Sequence, residues 1–219
     1  MRLKTLLKLC VPLLVAILAT GCVTSKPYDY TAFKQSRPRS ILVLPPVNSS
    51  PDVNATYSML SHVTYPLAES GYYVLPVALV DETFRQNGLT NPGDIHAVVP
   101  AKLKEIFGAD AALYITVTKY GTTYMIINSV VTVSANAKLV DLKTGQLLWE
   151  GSATASSDEG NNNSSGGLVG MLVTAVIKQI ANSVTDAGHA MAGTTSQRLL
   201  SARPNGMLHG PRSAQYGKD

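Results

Sequence analysis

Cysteine is nearly absent. The chain has two in 219 residues, and Cys10 falls inside an N-terminal stretch that reads as a removable leader. The one remaining thiol supports no intrachain disulfide framework. Charge is scarce too, at 15% of residues. Residues 22–194 carry 11 Lys and Arg against 13 Asp and Glu, and residues 195–219 carry 4 against 1. Beyond the leader the net charge is therefore about +1, which removes the electrostatic case for nucleic acid as a partner. No apolar run reaches the ~20 residues of a membrane-spanning helix.

Motifs that carry chemistry are also missing. The four histidines, His62, His96, His189 and His209, show no HExxH or other metal-ligand spacing, and no serine sits in a GxSxG elbow. Asp81 and Glu82 are adjacent in an expected helix, so they point about 100° apart. Asp158 and Glu159 fall in a polar linker. Asp110 stands where a helix hands over to a strand, a turn or capping position. Gly166-Gly167-x-x-Gly170 lacks the Lys-Ser/Thr of a phosphate loop and reads as a flexible joint. Without convergent titratable groups, the expectation is a non-catalytic chain with no cofactor and no metal site.

What is present begins at the N-terminus. Arg2, Lys4 and Lys8 precede an apolar run from Leu9 to Ala19, the length of a signal-peptide core. It ends in Leu18-Ala19-Thr20-Gly21-Cys22, which resembles a bacterial lipobox with Ala19 where Leu is commoner. Cys22 is accordingly the expected lipid-attachment residue, its acyl chains inserting into membrane lipid. Val23, rather than Asp, follows it, which by the sorting rule for such lipoproteins implies the outer membrane. Residues 23–39 hold two prolines and no periodic pattern. They read as a tether reaching at most ~55 Å at about 3.3 Å per residue.

The body alternates between helical and strand signals. Ile41-Leu42-Val43-Leu44, closed by Pro45-Pro46, reads as a strand buried on both faces, and Tyr72-Tyr73-Val74-Leu75-Pro76 as a second. Helices are expected over 55–70, 78–87 and about 100–107, the last with Leu103, Ile106 and Phe107 inward and Gly108 as its stop. After Asp110 the period becomes 2. Leu113, Ile115 and Val117 face one side; Tyr114, Thr116, Thr118 and Tyr120 face the other. Val131, Val133, Ala135, Ala137 and Leu139 repeat the pattern. After a turn at Lys143-Thr144-Gly145, Leu147, Trp149, Gly151 and Ala153 continue it. These three strands predict an antiparallel meander with one face packed on helices. A low-complexity segment at 158–167 leads to a helix from about Leu168 to Gly188, then a polar, basic tail.

The fold class is therefore α+β. Residues 1–21 are the leader, 22–39 the lipidated tether, 40–190 the single domain and 191–219 the tail. Residues 168–177 are apolar almost all round, which fits either burial or an interface. Leu168, Met171 and Leu172 are candidate partner-facing residues, together with Tyr114, Thr116 and Thr118 on the polar strand face. An unprotected edge strand is a second route to pairing with another chain.

Ile41-Leu42-Val43-Leu44-Pro45-Pro46-x-Asn48, then Gly71-Tyr72-Tyr73-Val74-Leu75-Pro76, Gly108-Ala109-Asp110-Ala111-Ala112-Leu113-Tyr114 and Val140-Asp141-x-x-Thr144-Gly145-x-x-Leu148-Trp149 resemble the layout shared by CsgG, LpoB and the TolB amino-terminal domain. Over about residues 38–190 the chain is similar to a family of outer-membrane lipoproteins of unassigned function that includes a neisserial vaccine-candidate antigen. The resemblance implies a TolB-N-like fold and a non-catalytic envelope role, as an accessory in assembly or export. It also implies a periplasm-facing body, envelope partners such as a CsgG-like lipoprotein, and self-association. A CsgG-like pore subunit and an LpoB-like activator of a peptidoglycan synthase are the alternatives.

Overall fold

The computed structural model describes residues 28–124, 129–159 and 187–218. Its strands are β1 (Ser40–Val43), β2 (Val47–Asn48), β3 (Tyr73–Val74), β4 (Ala111–Tyr124), β5 (Ser129–Asp141) and β6 (Leu147–Ser156). They form one mixed sheet in the order β3–β1–β4–β5–β6, with β2 also paired to β4. β1 runs parallel to both β3 and β4. Ile41 and Val43 enter one core while Leu42 and Leu44 enter the other, all four fully buried. A strand covered on both faces has no polar side, hence the unbroken apolar run. Pro45-Pro46 interrupts this line without ending it, because β2 resumes parallel pairing with β4.

β4, β5 and β6 form the antiparallel meander, and the inner face holds Leu113, Ile115, Val117, Val133, Ala135, Ala137, Leu139 and Trp149 as read from the alternation. Two irregularities correct it. The register shifts between Val117 and Lys119, which turns Tyr120, expected on the polar face, into the core at 5% exposure. A second shift between Leu139 and Val140 leaves Leu147 outward at 41% exposure and buries Leu148 instead. One extra residue on a strand reverses its side-chain phase.

The first core is roofed by α1 (Thr31–Ser36), α2 (Ala55–His62), α3 (Thr64–Glu69) and α7 (Ala187–Leu200). The expected helix over 55–70 is thus two, parted at Val63. On the second face, α4 (Val77–Gln86), α5 (Pro92–His96) and α6 (Pro100–Phe107) supply Val80, Phe84, Ile95 and Leu103. α5 occupies what reads as a turn-rich loop; Asn91 caps it by accepting the Gly93 N–H at 2.8 Å. In α6 Leu103 is buried, but Ile106 is 49% exposed. Phe107 takes the place beside Phe84, ring centroids 5.2 Å apart, and its neighbour at about 100° therefore faces solvent.

The ends of the chain depart most from expectation. Residues 28–39, read as tether, pack on the body: Phe33 is 3% exposed within the first core. Asp29 opens α1 by accepting from the Thr31 N–H at 2.9 Å and the Thr31 hydroxyl at 2.7 Å. The segment read as a tail is equally built in, since α7 continues to Leu200 and Met207 and Leu208 are buried. Gly210 N–H donates to the Ser70 carbonyl at 2.7 Å, Arg212 N–H to Gly71 at 3.1 Å and the Tyr72 hydroxyl to Leu208 at 2.6 Å. Gly71 has φ +95°, and a Cβ there would lie 2.5 Å from the Ser213 nitrogen, so only glycine lets the two backbones meet. The linker and most of the expected 168–188 helix lie outside the described residues.

Candidate functional site

Among the described residues, the second sheet face is covered by helices α4 to α6 near β1 and is open across the meander: Asn136, Lys138, Glu150, Ser152 and Thr154 are exposed and Thr116 is half-buried. A groove of about 410 Å³ crosses it, lined by His96, Tyr114, Thr116, Asn136, Lys138 and Val140. The His96 Nε2–H donates to the Pro45 carbonyl at 3.0 Å, and its ring meets Tyr114 edge-on with centroids 5.2 Å apart. Burial holds His96 below its usual value, against the Pro45 hydrogen bond, and raises Tyr114. Both are neutral near pH 7, leaving Lys138 as the charge among these lining residues. The groove offers hydroxyl, amide and ammonium groups for hydrogen bonding, with no base aimed at a nucleophile.

Of the strand residues singled out by sequence, Tyr114 and Thr116 line this groove. Thr118 lies beside it on the same face, its hydroxyl donating to the Ser134 carbonyl at 3.2 Å. Ser134 and Thr154 join hydroxyls at 2.9 Å, extending the polar ladder to β6. Asn136 and Lys138 were not among the residues singled out, but their alternation with Ala135, Ala137 and Leu139 places them on this face; His96, distant in sequence, carries no such signal. The edge route is less open than its sequence suggests. On β6, the Glu150 N–H donates to the Tyr28 hydroxyl at 3.1 Å, Arg198 donates to the Thr154 carbonyl at 2.8 Å and the Ser156 N–H donates to Glu159 at 2.9 Å. An edge met by side chains is a poor template for another strand.

Sequence reading missed two further clusters. Under α7, the Tyr120 hydroxyl donates to Ser58 Oγ at 2.9 Å, which lies 3.0 Å from His189 Nδ1. The His62 and His189 rings meet at a tilt of 46° with centroids 4.3 Å apart, and His62 Nε2 is buried without a hydrogen-bond partner. Burial, with His189 beside it, holds His62 below its usual value, against a hydrogen bond to the His189 backbone. The second cluster is a cleft of about 350 Å³ between α1 and the C-terminal segment, with Phe33, Tyr72 and Leu208 as walls and Lys34, Arg37 and His209 lining it.

Asp110 has the structural role expected of it. Its Oδ2 accepts from the Arg39 and Ser40 N–H groups at 3.0 and 3.2 Å and from Ser40 Oγ at 3.1 Å, and Lys104 Nζ lies 3.3 Å from Oδ1. Burial works against the charge, but these donors outweigh it and hold the carboxyl below its ordinary range. Among the described residues no group of three or more His, Cys, Asp or Glu is placed to hold a metal ion, and no helix is long and apolar enough to cross a membrane. Cys22, Leu168, Met171 and Leu172 lie outside the described residues.

Together these features define an α+β body whose mixed sheet is helix-covered on one face and part-open on the other. The chain belongs to the family described as "Putative lipoprotein GNA1162-like", which matches residues 28–212. It is 58% identical over 203 residues to the "Putative lipoprotein NMB1124/NMB1162" of Neisseria meningitidis serogroup B, covering 91% of this chain and 94% of that one. Among solved structures, lipoprotein GNA1162 from Neisseria meningitidis aligns with TM-score 0.53 at 63% identity, over 66% of this chain and 99% of that one. A PelC dodecamer from Paraburkholderia phytofirmans aligns with TM-score 0.43 at 14% identity, over 83% of this chain and 97% of that one. The LpoB C-terminal domain from Salmonella enterica aligns with TM-score 0.39 at 18% identity, over 66% and 93%.

Proposed function

We propose that this lipoprotein is held in the outer membrane by acyl chains on Cys22, and that its periplasm-facing body is a non-catalytic docking accessory in envelope assembly or export. The observation that carries this reading is the open half of the sheet, where, among the described residues, the Tyr114–Thr116–Asn136–Lys138 groove lies uncovered while the β1 half is roofed. Its partner is another envelope protein, with a CsgG-like lipoprotein as the leading class on the sequence resemblance; self-association through the same face is the second mode. Mixed hydroxyl, amide and single-cation surfaces suit reversible protein contacts, which are about as polar as the rest of a protein surface. A pore is less well supported, since Val117, Tyr120, Val131 and Val133 commit the inner face of the long β4–β5 pair to the core. That leaves no apolar face for lipid.

The test has two arms. Fatty-acid labelling should mark the wild-type chain in outer-membrane fractions and not Cys22→Ala, which should leave the membrane. Affinity capture after chemical crosslinking should recover a defined envelope protein with the wild type, and lose it with Thr116→Arg. Labelled Cys22→Ala refutes the anchor; unchanged capture with Thr116→Arg refutes the docking face.

A further inference from the structure

We propose that the cleft between α1 and the C-terminal segment takes the phosphate of an anionic phospholipid headgroup and seats the body against the membrane that carries its anchor. The proximity part of this inference rests on acylation at Cys22. Tyr28 lies six positions after Cys22, so the packed N-terminal segment shortens the reach to about 20 Å. The Tyr28 and Tyr30 ring centroids lie 4.9 Å apart, and those of Tyr30 and Phe33 6.4 Å apart; Phe33 is a wall of the cleft. The chain therefore enters the body beside this cleft, and the anchor keeps the cleft near the lipid surface.

The lining matches a phosphate carried on an apolar-rimmed group. Phe33, Pro38, Tyr72 and Leu208 are buried, while Lys34 and Arg37 add cationic groups and His209 an imidazole. Among the described residues, none of those lining the cleft is acidic. Two carboxylates flanking α1 are engaged elsewhere: Asp141 receives the Ser36 hydroxyl and the Lys143 and Thr144 N–H groups, and Asp29 receives Thr31. Arg37 Nε donates to the Lys34 carbonyl at 3.1 Å, which orients a planar guanidinium suited to phosphate oxygens. Arg212, stacked 5.4 Å over Tyr73, extends the positive surface along the same segment. Volume and lining fit a small amphipathic ligand.

Arg37 also supplies a clean test. It closes α1 with φ +48°, a left-handed conformation that glycine adopts without strain. Arg37→Gly therefore removes the cation while the thermal midpoint stays level or rises. The assay is sedimentation of the whole leader-free chain carrying Cys22→Ser with vesicles of phosphatidylethanolamine, with and without phosphatidylglycerol, at low salt. The expected result is binding that requires phosphatidylglycerol and weakens about fivefold for each unit of positive charge lost, by one unit in Arg37→Gly and by three in Arg37→Gly with Lys34→Glu. Equal binding to both vesicle types overturns the proposal. So does Arg37→Gly binding like its parent with an unlowered midpoint. If that midpoint falls, Lys34→Glu alone is read in its place, with the same two outcomes. The protein carries no acyl chain in this assay, so a negative result is separate from failure of the anchor, which is read by the mass of membrane-extracted chain.

Discussion

Gly71→Ala probes the claim that the C-terminal segment is structural. The added Cβ would sit 2.5 Å from the Ser213 nitrogen and 2.8 Å from the Gly210 carbonyl oxygen, both backbone atoms that cannot rotate aside. A positive φ alone costs an alanine about 1–2 kcal/mol. If the segment undocks, Met207 and Leu208 lose burial worth about 1.5–3 kcal/mol each, and the Tyr72–Leu208 hydrogen bond adds about 1 kcal/mol. The expected loss is about 4–7 kcal/mol with undocking, and no less than about 1 kcal/mol from strain alone. Gly88→Ala is the control: its φ is +80° with no atom within 4 Å of the new Cβ, so it carries only the conformational cost. Urea unfolding should place Gly71→Ala well below Gly88→Ala, and limited proteolysis should cut Gly71→Ala between residues 201 and 218. Equal midpoints for the two variants, with no new cleavage, would refute the reasoning.

The two-faced core predicts that Leu42→Ala loses about 2–5 kcal/mol in urea unfolding, whereas Thr116→Ala on the open face stays within about 0.5 kcal/mol of the parent. His62 and His96 both have folded values below the ordinary 6.5, so the unfolded chain binds more protons just below that pH. Their contribution is fully present above about pH 6.5 and falls as the pH drops below it; the thermal midpoint should decline from about pH 7.5 to 5.5, less so in His62→Gln with His96→Gln. Asp110 works in the same sense at lower pH. Its value is depressed, so its contribution persists above its unfolded value near 3.8 and vanishes on acidification through the folded value. Asp110→Asn should cost about 1–3 kcal/mol at neutral pH, read by denaturant unfolding, and flatten the acid limb.

The meander was legible in the sequence because Val131 to Leu139 alternate without fault and only one face is buried. β1 was legible for the opposite reason: both faces are covered, so Ile41 to Leu44 are all apolar. Tyr120 was misplaced because the bulge after Val117 leaves no residue-type signature, yet it reverses every position beyond it. The packed N-terminal segment escaped notice because α1 has six residues, too few to show a helical period, although Tyr28, Tyr30 and Phe33 are an unusual cluster for a solvated tether. Met207 and Leu208 form a single apolar pair in a polar stretch, and their burial depends on Gly71 and on Tyr72, which binds Leu208 from 136 positions away in sequence. The groove was half legible: Tyr114 and Thr116 follow from alternation, while His96 arrives from a separate helix. The Ser58–His189 and Phe33–Leu208 associations join distant segments that no local pattern connects.

Site-specific photocrosslinking in living cells tests the docking face most directly. A crosslinker replacing Thr116, in the open groove, is compared with one replacing Tyr65, exposed on the helical side. The expected result is one reproducible adduct with a defined envelope protein from position 116 that is absent from position 65. No adduct from position 116, or the same set of adducts from both positions, would contradict docking through the sheet face.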